Sequence, residues 1–354
     1  MRVAIIGCGQ IADAHLQQVQ RIDCAETVAV VDLNRHLAEQ AAKRFQVRHW
    51  FTDIEQMIKE IQPDVIHITT PPNTHYALAK IILKYGIHIY MEKPFTSNLA
   101  EAEEIVELAE KKGCQICAGH SSAFDPSYLK LVDAFEKGRF GQIVHLNAGM
   151  GYGLDGPFGK VMMSDPKHWV HKLAGGIPHN NISHPVSLIM GVMKEENLQV
   201  HARGYKFREE RYNDIRDNFY DELRITIYGE QSTANIVFSA KIRPLELYID
   251  VFGTESIARL NIYARTLAFD KGASLPGPFE KVHWARNYYK AAKNEYRTNL
   301  KNLFRSNIHY FDGMKNLTER FYRAIEKGTE IPVPMSEALR ATKIIDDIFE
   351  AVKS

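Results

Sequence analysis

The sequence predicts a two-domain α/β protein. A doubly wound parallel sheet forms the N-terminal domain, residues 1–119. An α+β domain with a large, mostly antiparallel open sheet follows, residues 120–354. Three observations carry this. A short β-branched run, Val3 to Ile6, passes at once into Gly7-Cys8-Gly9-Gln10-Ile11-Ala12 and then into a helical pattern. The first ~120 residues go on alternating strand and helix, the pattern of right-handed βαβ crossovers. After Gly119 strand-like runs with apolar/polar alternation dominate, as a half-buried sheet requires.

The opening turn has the spacing G-x-G-x-x-A. Gly7 permits a tight turn, Gly9 lets a pyrophosphate approach the backbone, and Ala12 lets helix and strand pack closely. The free N–H groups at the helix start, beginning with Gln10 and Ile11, then face the phosphates. A second strand, residues 27–31, ends in Asp32, where a ribose 2′-hydroxyl would be gripped. The spacing therefore predicts a Rossmann dinucleotide site. Asp32 favours NAD by repelling a 2′-phosphate; Arg35, three residues on, would offset that repulsion and keeps NADP as the alternative.

Helices are expected over residues 13–21, 34–45, 54–60, 73–84 and 99–112, the last ended by Gly113. Strands are expected over 65–69, 87–91 and 115–118. In the second domain the pattern gives helices over 126–137 and 179–190, and strands over 142–148, 199–205, 221–228, 233–240, 245–252 and 256–263. An amphipathic tail follows over 335–352. Residues 281–305 read as a basic amphipathic helix. Arg286, Lys290, Lys293, Arg297 and Lys301 form one row; Trp284, Tyr288, Ala292, Tyr296, Leu300 and Leu303 form another. Its readings are a solvated face over a core or subunit contact, a contact for an anionic substrate group, or a membrane surface.

Composition bounds the rest. A hydrophobic share of 45% and a charged share of 25% suit a globular domain pair, and a net charge of +1 gives no field for nucleic acid. No apolar run reaches the ~18 residues of a membrane span, and membrane contact is not expected. The first strand begins almost at Met1, so no signal peptide is expected. Four cysteines make no disulfide framework, and a reducing cytoplasm is expected. Cys114-x-x-Cys117 has no second pair or His cluster beside it, so no metal site is expected.

Two strand ends fall on the cofactor edge of the first sheet. One continues as Thr70-Pro71-Pro72-Asn73-Thr74-His75, the other as Glu92-Lys93-Pro94. Alcohol oxidation moves a hydride to a nicotinamide and a proton to a base. A lysine there serves as that base if burial lowers its pKa.

The chain resembles the glucose–fructose oxidoreductase / inositol dehydrogenase / MocA (Gfo/Idh/MocA) family. The resemblance is carried by GCGQIA, TPPNTHY, MEKPF, the HW–GG–H stretch from His168 to His184, and FGTES. It implies an NAD(P)-dependent oxidoreductase acting on a secondary alcohol or ketone of a sugar or sugar derivative, nucleotide-linked forms included. The alternatives are a cyclitol dehydrogenase and a non-catalytic NAD-dependent sensor or scaffold. It also implies a homodimer or homotetramer through the second sheet. Lys93 falls on the family's E-K-P lysine. His184 falls on the histidine of G-G-x-x-x-D-x-x-x-H, the usual acid/base. The aspartate of that pattern is Asn180 here, which can orient an imidazole but cannot stabilise its cation as a carboxylate does. The expected site is thus Lys93 and His184 for proton transfer with Asn180 orienting. Gly7, Gly9, Gln10, Ile11, Asp32, Arg35, Thr70, Pro71, Asn73, His75, Glu92 and Lys93 are expected on the cofactor. His120, Trp169, His179, Asn180 and His184 are expected on the substrate. Many relatives carry an arginine where Ser122 or Ala123 stands.

Overall fold

A computed structural model describes residues 1–207, 220–271, 276–305 and 308–353. The chain divides into two compact units: Met1–Ser121 with Phe311–Asp346, and Ser122–Tyr310 with Asp347–Ser354. This differs from a single cut at 119/120, because the chain returns to the first unit near its end. The returning helix, Asp312–Lys327, is tied there by Arg21 on Asp312 at 3.1 Å and by Tyr322 on His67 at 2.7 Å.

The first unit is built on six parallel strands: β1 (Arg2–Ile6), β2 (Glu26–Val31), β3 (His49–Phe51), β4 (Val65–Ile68), β5 (His88–Met91) and β6 (Ile116–Ala118). Their order is β3-β2-β1-β4-β5-β6, so the order reverses between β1 and β4. Central strands of such a sheet are covered on both faces and read as unbroken apolar runs. Val3 to Ile6 and Val65 to Ile68 are buried throughout. The intervening helices are α1 (Gln10–Val19), α2 (Arg35–Phe45), α3 (Ile54–Ile61), α4 (His75–Lys84) and α5 (Leu99–Lys112). Local chemistry fixes their ends: Asn34, Asp53 and Asn98 accept from the backbone N–H groups of His36, Gln56 and Glu101. Helix α1 starts at the glycine turn itself, three residues before the expected start. Pro72–Thr74 forms a separate 3₁₀ turn ahead of α4.

The second unit holds β7 (Ile143–Gly151), β8 (Gln199–Tyr205), β9 (Glu222–Tyr228), β10 (Thr233–Ser239), β11 (Leu247–Gly253), β12 (Ile257–Asn261) and β13 (Thr266–Asp270). Their order is β13-β12-β11-β7-β10-β9-β8, antiparallel throughout except for the parallel pair β7–β10. Leu146, Ala148, Ile236, Ile249 and Val251 line its buried face. The other face carries a half-buried polar row in register, Asp250–Asn147–Asn235–Thr226. The helices here are α6 (Pro126–Glu136), α7 (Pro157–Ser164), α8 (Gly176–Asn181), α9 (Ser183–Met190) and α10 (Gly277–Phe304). The expected helix 179–190 is thus two short helices. The elements β3, β13, α7 and the returning helix α11 (Asp312–Lys327) were not anticipated. The last helix, α12, spans Met335–Lys353.

Candidate dinucleotide and acid–base groups

The glycine turn has the geometry its residues demand. Gly7 has φ +93°, and a Cβ there would lie 2.8 Å from Thr70 Cγ2. A side chain at Gly9 would meet nothing within 4 Å, which leaves open space above the turn. Helix α1 begins at Gly9 with no side-chain cap, and Gln10 beside it is exposed. Uncapped N–H groups over an open backbone are what a diphosphate needs. Thr69 Oγ1 lies 2.8 Å from Gly7 O and 3.0 Å from Ile6 O, holding the end of β4 against the turn. Asp32 sits half-buried at the end of β2 and accepts from Cys8 N at 2.8 Å and Asn34 N at 2.7 Å. Its carboxylate is thus fixed beside the glycines. Arg35 is exposed and stacks over Trp50 at 5.3 Å. The glycine pair, the open helix start and the fixed carboxylate fit a nicotinamide dinucleotide.

At the end of β4, Thr74 donates through both N and Oγ1 to Pro71 O, and its Oγ1 meets Thr70 Oγ1 at 2.7 Å. Pro71 is half-buried and Asn73 exposed. His75 corrects an expectation. Its ring is fully buried, with Nε2 at 2.8 Å from Thr70 O and Nδ1 at 3.1 Å from Phe95 O. The ring is a bracket between two strand ends, and a cofactor contact through it is excluded by that burial. Burial holds its pKa below the usual histidine value against the pull of those carbonyls.

Beneath the other strand end lies a buried chain of polar groups. His15 Nε2 is 2.9 Å from Glu92 Oε1, His15 Nδ1 is 2.8 Å from His67 Nδ1, and Tyr322 Oη is 2.7 Å from His67 Nε2. All four residues are buried. One proton arrangement satisfies every atom. A Glu92 carboxylate requires His15 to donate from Nε2, so neutral His15 accepts at Nδ1. His67 then donates from Nδ1 and accepts the Tyr322 hydroxyl at Nε2. Burial holds His67 well below its usual pKa, so it is neutral as this arrangement needs. Burial alone would push the Glu92 carboxyl up; the His15 hydrogen bond, with the Lys93 charge and N–H, outweighs it and holds the pKa low. The Lys93 backbone N donates to Glu92 Oε2 at 3.1 Å. Lys93 itself is half-buried, and burial lowers its pKa against the opposing pull of Glu92. His120 is buried close by, and burial pushes its pKa down to about 4.

In the second unit His184 is half-buried on α9, with Nδ1 at 2.8 Å from Ser122 Oγ. Asn180 is buried in α8. His179 is also buried and stacks flat on Phe349, with ring centres 4.5 Å apart. Its Nδ1 has no hydrogen-bond partner among the described residues, and burial pushes its pKa down to about 4. Gly175 exists for the same stack, since a Cβ there would lie 1.9 Å from the Phe349 ring. Trp169 is half-buried at the start of a 3₁₀ turn, tilted against His168 at 5.2 Å.

Sequence reasoning missed His15, His67, Tyr322 and Ser122. The first two left a signal: a histidine on the buried side of α1, and another inside the apolar run Val65-Ile66-His67-Ile68. A polar group in such a place needs a partner.

Residues 1–120 match the oxidoreductase family GFO_IDH_MocA, described as having an NAD-binding Rossmann fold. A myo-inositol 2-dehydrogenase of Thermotoga maritima is 22% identical over 308 residues, 86% of this chain and 88% of that protein. Among solved structures, the WlbA dehydrogenase from Bordetella pertussis, in complex with NADH and UDP-GlcNAcA, superposes with a TM-score of 0.80 at 19% identity, covering 100% of this chain and 95% of that one. A levoglucosan dehydrogenase in complex with NADH and levoglucosan gives a TM-score of 0.79 at 16% identity, covering 100% and 97%. These superpositions show a shared fold across both sheets.

Proposed function

We propose that the chain is an NAD-binding oxidoreductase of the Gfo/Idh/MocA family that moves a hydride between the nicotinamide and a secondary alcohol or ketone of a sugar or sugar derivative. The observation that carries this reading is Lys93. It stands at the carboxyl end of β5, on the edge of the sheet where the glycine turn lies, and burial lowers its pKa.

A bound nicotinamide dinucleotide would supply the hydride acceptor. The N–H groups at the start of α1 bind its diphosphate and Asp32 accepts its ribose hydroxyls, which favours NAD over NADP. Lys93, in its neutral form, takes the proton from the substrate hydroxyl. His184, which meets Ser122 Oγ through Nδ1, is the second acid–base group of this reading, and Asn180 helps to orient it. His120, Trp169 and His179 are proposed for the substrate side. His179 acts there through its stack, since its ring is buried.

Sugars and cyclitols enter as the substrate class from the named relatives, and UDP-linked sugars from the WlbA complex. The polar open face of the seven-stranded sheet supports assembly as a homodimer or homotetramer. Four free cysteines suit a reducing, cytoplasmic setting.

The test is NADH formation, followed by absorbance, against free sugars, cyclitols and UDP-sugars, for wild type and Lys93→Ala together. Turnover that falls by ~10²–10⁴ in the variant while NAD still binds is expected. Turnover unchanged in Lys93→Ala would overturn the mechanism. Silence across the panel with NAD bound would favour the sensor reading, for which Asn180 is the motivating feature.

A further inference from the structure

Helix α10 splits the apolar row read from the sequence: Trp284 and Tyr288 are half-buried, while Ala292, Tyr296, Leu300 and Leu303 are exposed, as is the basic row. One face is held by its own unit. Trp284 and Tyr288 stack at 6.5 Å, Arg259 lies 5.9 Å over Tyr288, Glu295 pairs with Lys130 at 3.0 Å, and Asn299 donates to Ala264 O at 3.1 Å. On the opposite face the contact among the described residues is one within the helix, Lys293 at 5.4 Å over Tyr289. Val282, Ala285, Tyr289, Ala292, Tyr296, Leu300 and Leu303 recur there at three- and four-residue steps. Val282 is 67% exposed, Tyr289 63%, Tyr296 65% and Leu303 60%. Phe304 at the helix end is 81% exposed. Not one of the 28 residues of α10 is buried.

Charge says what this face suits. The helix carries six Lys or Arg against two Glu, in a chain whose net charge is only +1. One of the two glutamates is already paired with Lys130. Arg286, Lys293 and Arg297 run along one side of the apolar stripe, and Lys290 and Lys301 stand just beyond, all exposed. A second copy paired antiparallel by a two-fold axis would lay this basic row against itself. An anionic lipid surface would neutralise it and take up the aromatic and apolar stripe at headgroup depth.

We propose that the outward face of α10 docks the protein on an anionic bilayer surface, with Val282, Tyr289, Tyr296, Leu300 and Leu303 at the headgroup boundary and the basic row on the lipid phosphates. No helix among the described residues is long and apolar enough to cross a membrane, and none is needed for contact of this kind. The proposal revises the expectation of no membrane contact and is independent of the reaction assigned above.

The test is co-sedimentation of the full chain with vesicles of phosphatidylcholine alone and of phosphatidylcholine with phosphatidylglycerol. Binding to the anionic vesicles at low salt, falling steeply with salt, and none to the neutral ones is expected. Each basic residue removed should weaken partitioning about fivefold, so Arg286→Glu/Lys293→Glu/Arg297→Glu should lower it more than a hundredfold. Lys43→Glu/Lys59→Glu/Lys84→Glu, the same charge change elsewhere, should leave most of it. Thermal midpoints and NAD affinity of each variant report that the fold is kept, and the wild-type dependence on salt and lipid tests the idea without any variant. Failure to sediment with anionic vesicles at low salt would overturn it. So would equal binding to neutral ones, or a dimer in sedimentation velocity that Tyr289→Ser/Tyr296→Ser dissociates, which would assign the face to a second copy.

Discussion

The two units each contain a histidine group, and the groups are built in opposite ways. In the first unit Glu92, His15, His67 and Tyr322 are sealed from solvent and satisfy one another in a single proton arrangement. In the second, His184 is half-buried with Ser122 on Nδ1, and buried His179 leaves Nδ1 without a partner among the described residues. A closed network fixes geometry and charge, and it holds the carboxylate beside Lys93 in one state. A half-buried histidine held by a hydroxyl is the setting in which the acid–base role proposed for His184 would operate. The first group is therefore support, and the second contains the group proposed to act.

Removing a partner from the closed network should have the largest effect. His15→Ala strips Oε1 of the buried Glu92 carboxylate of its donor and should cost about 3–5 kcal/mol of stability by urea unfolding. His184→Ala, at a half-buried position, should cost less than about 1 kcal/mol. Equal losses would erase the distinction between the two groups.

Acid should separate the buried histidines next. His120 and His179 have folded pKa values near 4 against an ordinary value of 6.5, so each folded ring resists protonation. The unfolded chain then binds more protons as pH falls. Stability is full above 6.5 and is lost as pH drops toward 4, by about 3 kcal/mol per ring. His179→Phe keeps the stack on Phe349 and removes one ring's share. The difference between its unfolding free energies at neutral pH and near pH 4 should shrink by about that amount. An unchanged difference would contradict the burial of His179.

The smallest effect belongs to the open pair. Ser122→Ala removes the Nδ1 bond of His184, worth about 1 kcal/mol, so kcat should fall about fivefold with KM little changed. A fall as large as that of Lys93→Ala would make Ser122 more than a positioning residue.

The same contrast explains what the sequence made legible. The glycine turn, Asp32 and the strand-end lysine are local: residue types at fixed short spacing, each with its own physical reason. The alternation of strand and helix gave the first sheet in the same way. The closed network is not local. His15 and Glu92 are 77 residues apart, and Tyr322 and His67 are 255 apart. Only the sheet and the returning α11 bring them together. His75 misled for the same reason, since a histidine in a motif gives no sign that backbone carbonyls occupy both nitrogens. On α10 the 3.6-residue period was legible, but how its apolar row divided between an inward and an outward face depended on β13, a strand whose short run gave no clear signal.

The most direct test of the account is the pH dependence of NADH formation in wild type and Glu92→Gln. The central claim is that Lys93 acts as a neutral base and that the network keeps a carboxylate beside it. Rate should rise with pH as Lys93 loses its proton. Burial lowers its pKa and the Glu92 charge raises it. Removing that charge while keeping a hydrogen-bonding side chain for His15 should let burial prevail, moving the rising limb to lower pH. A limb that stays in place, or moves to higher pH, would contradict the claim.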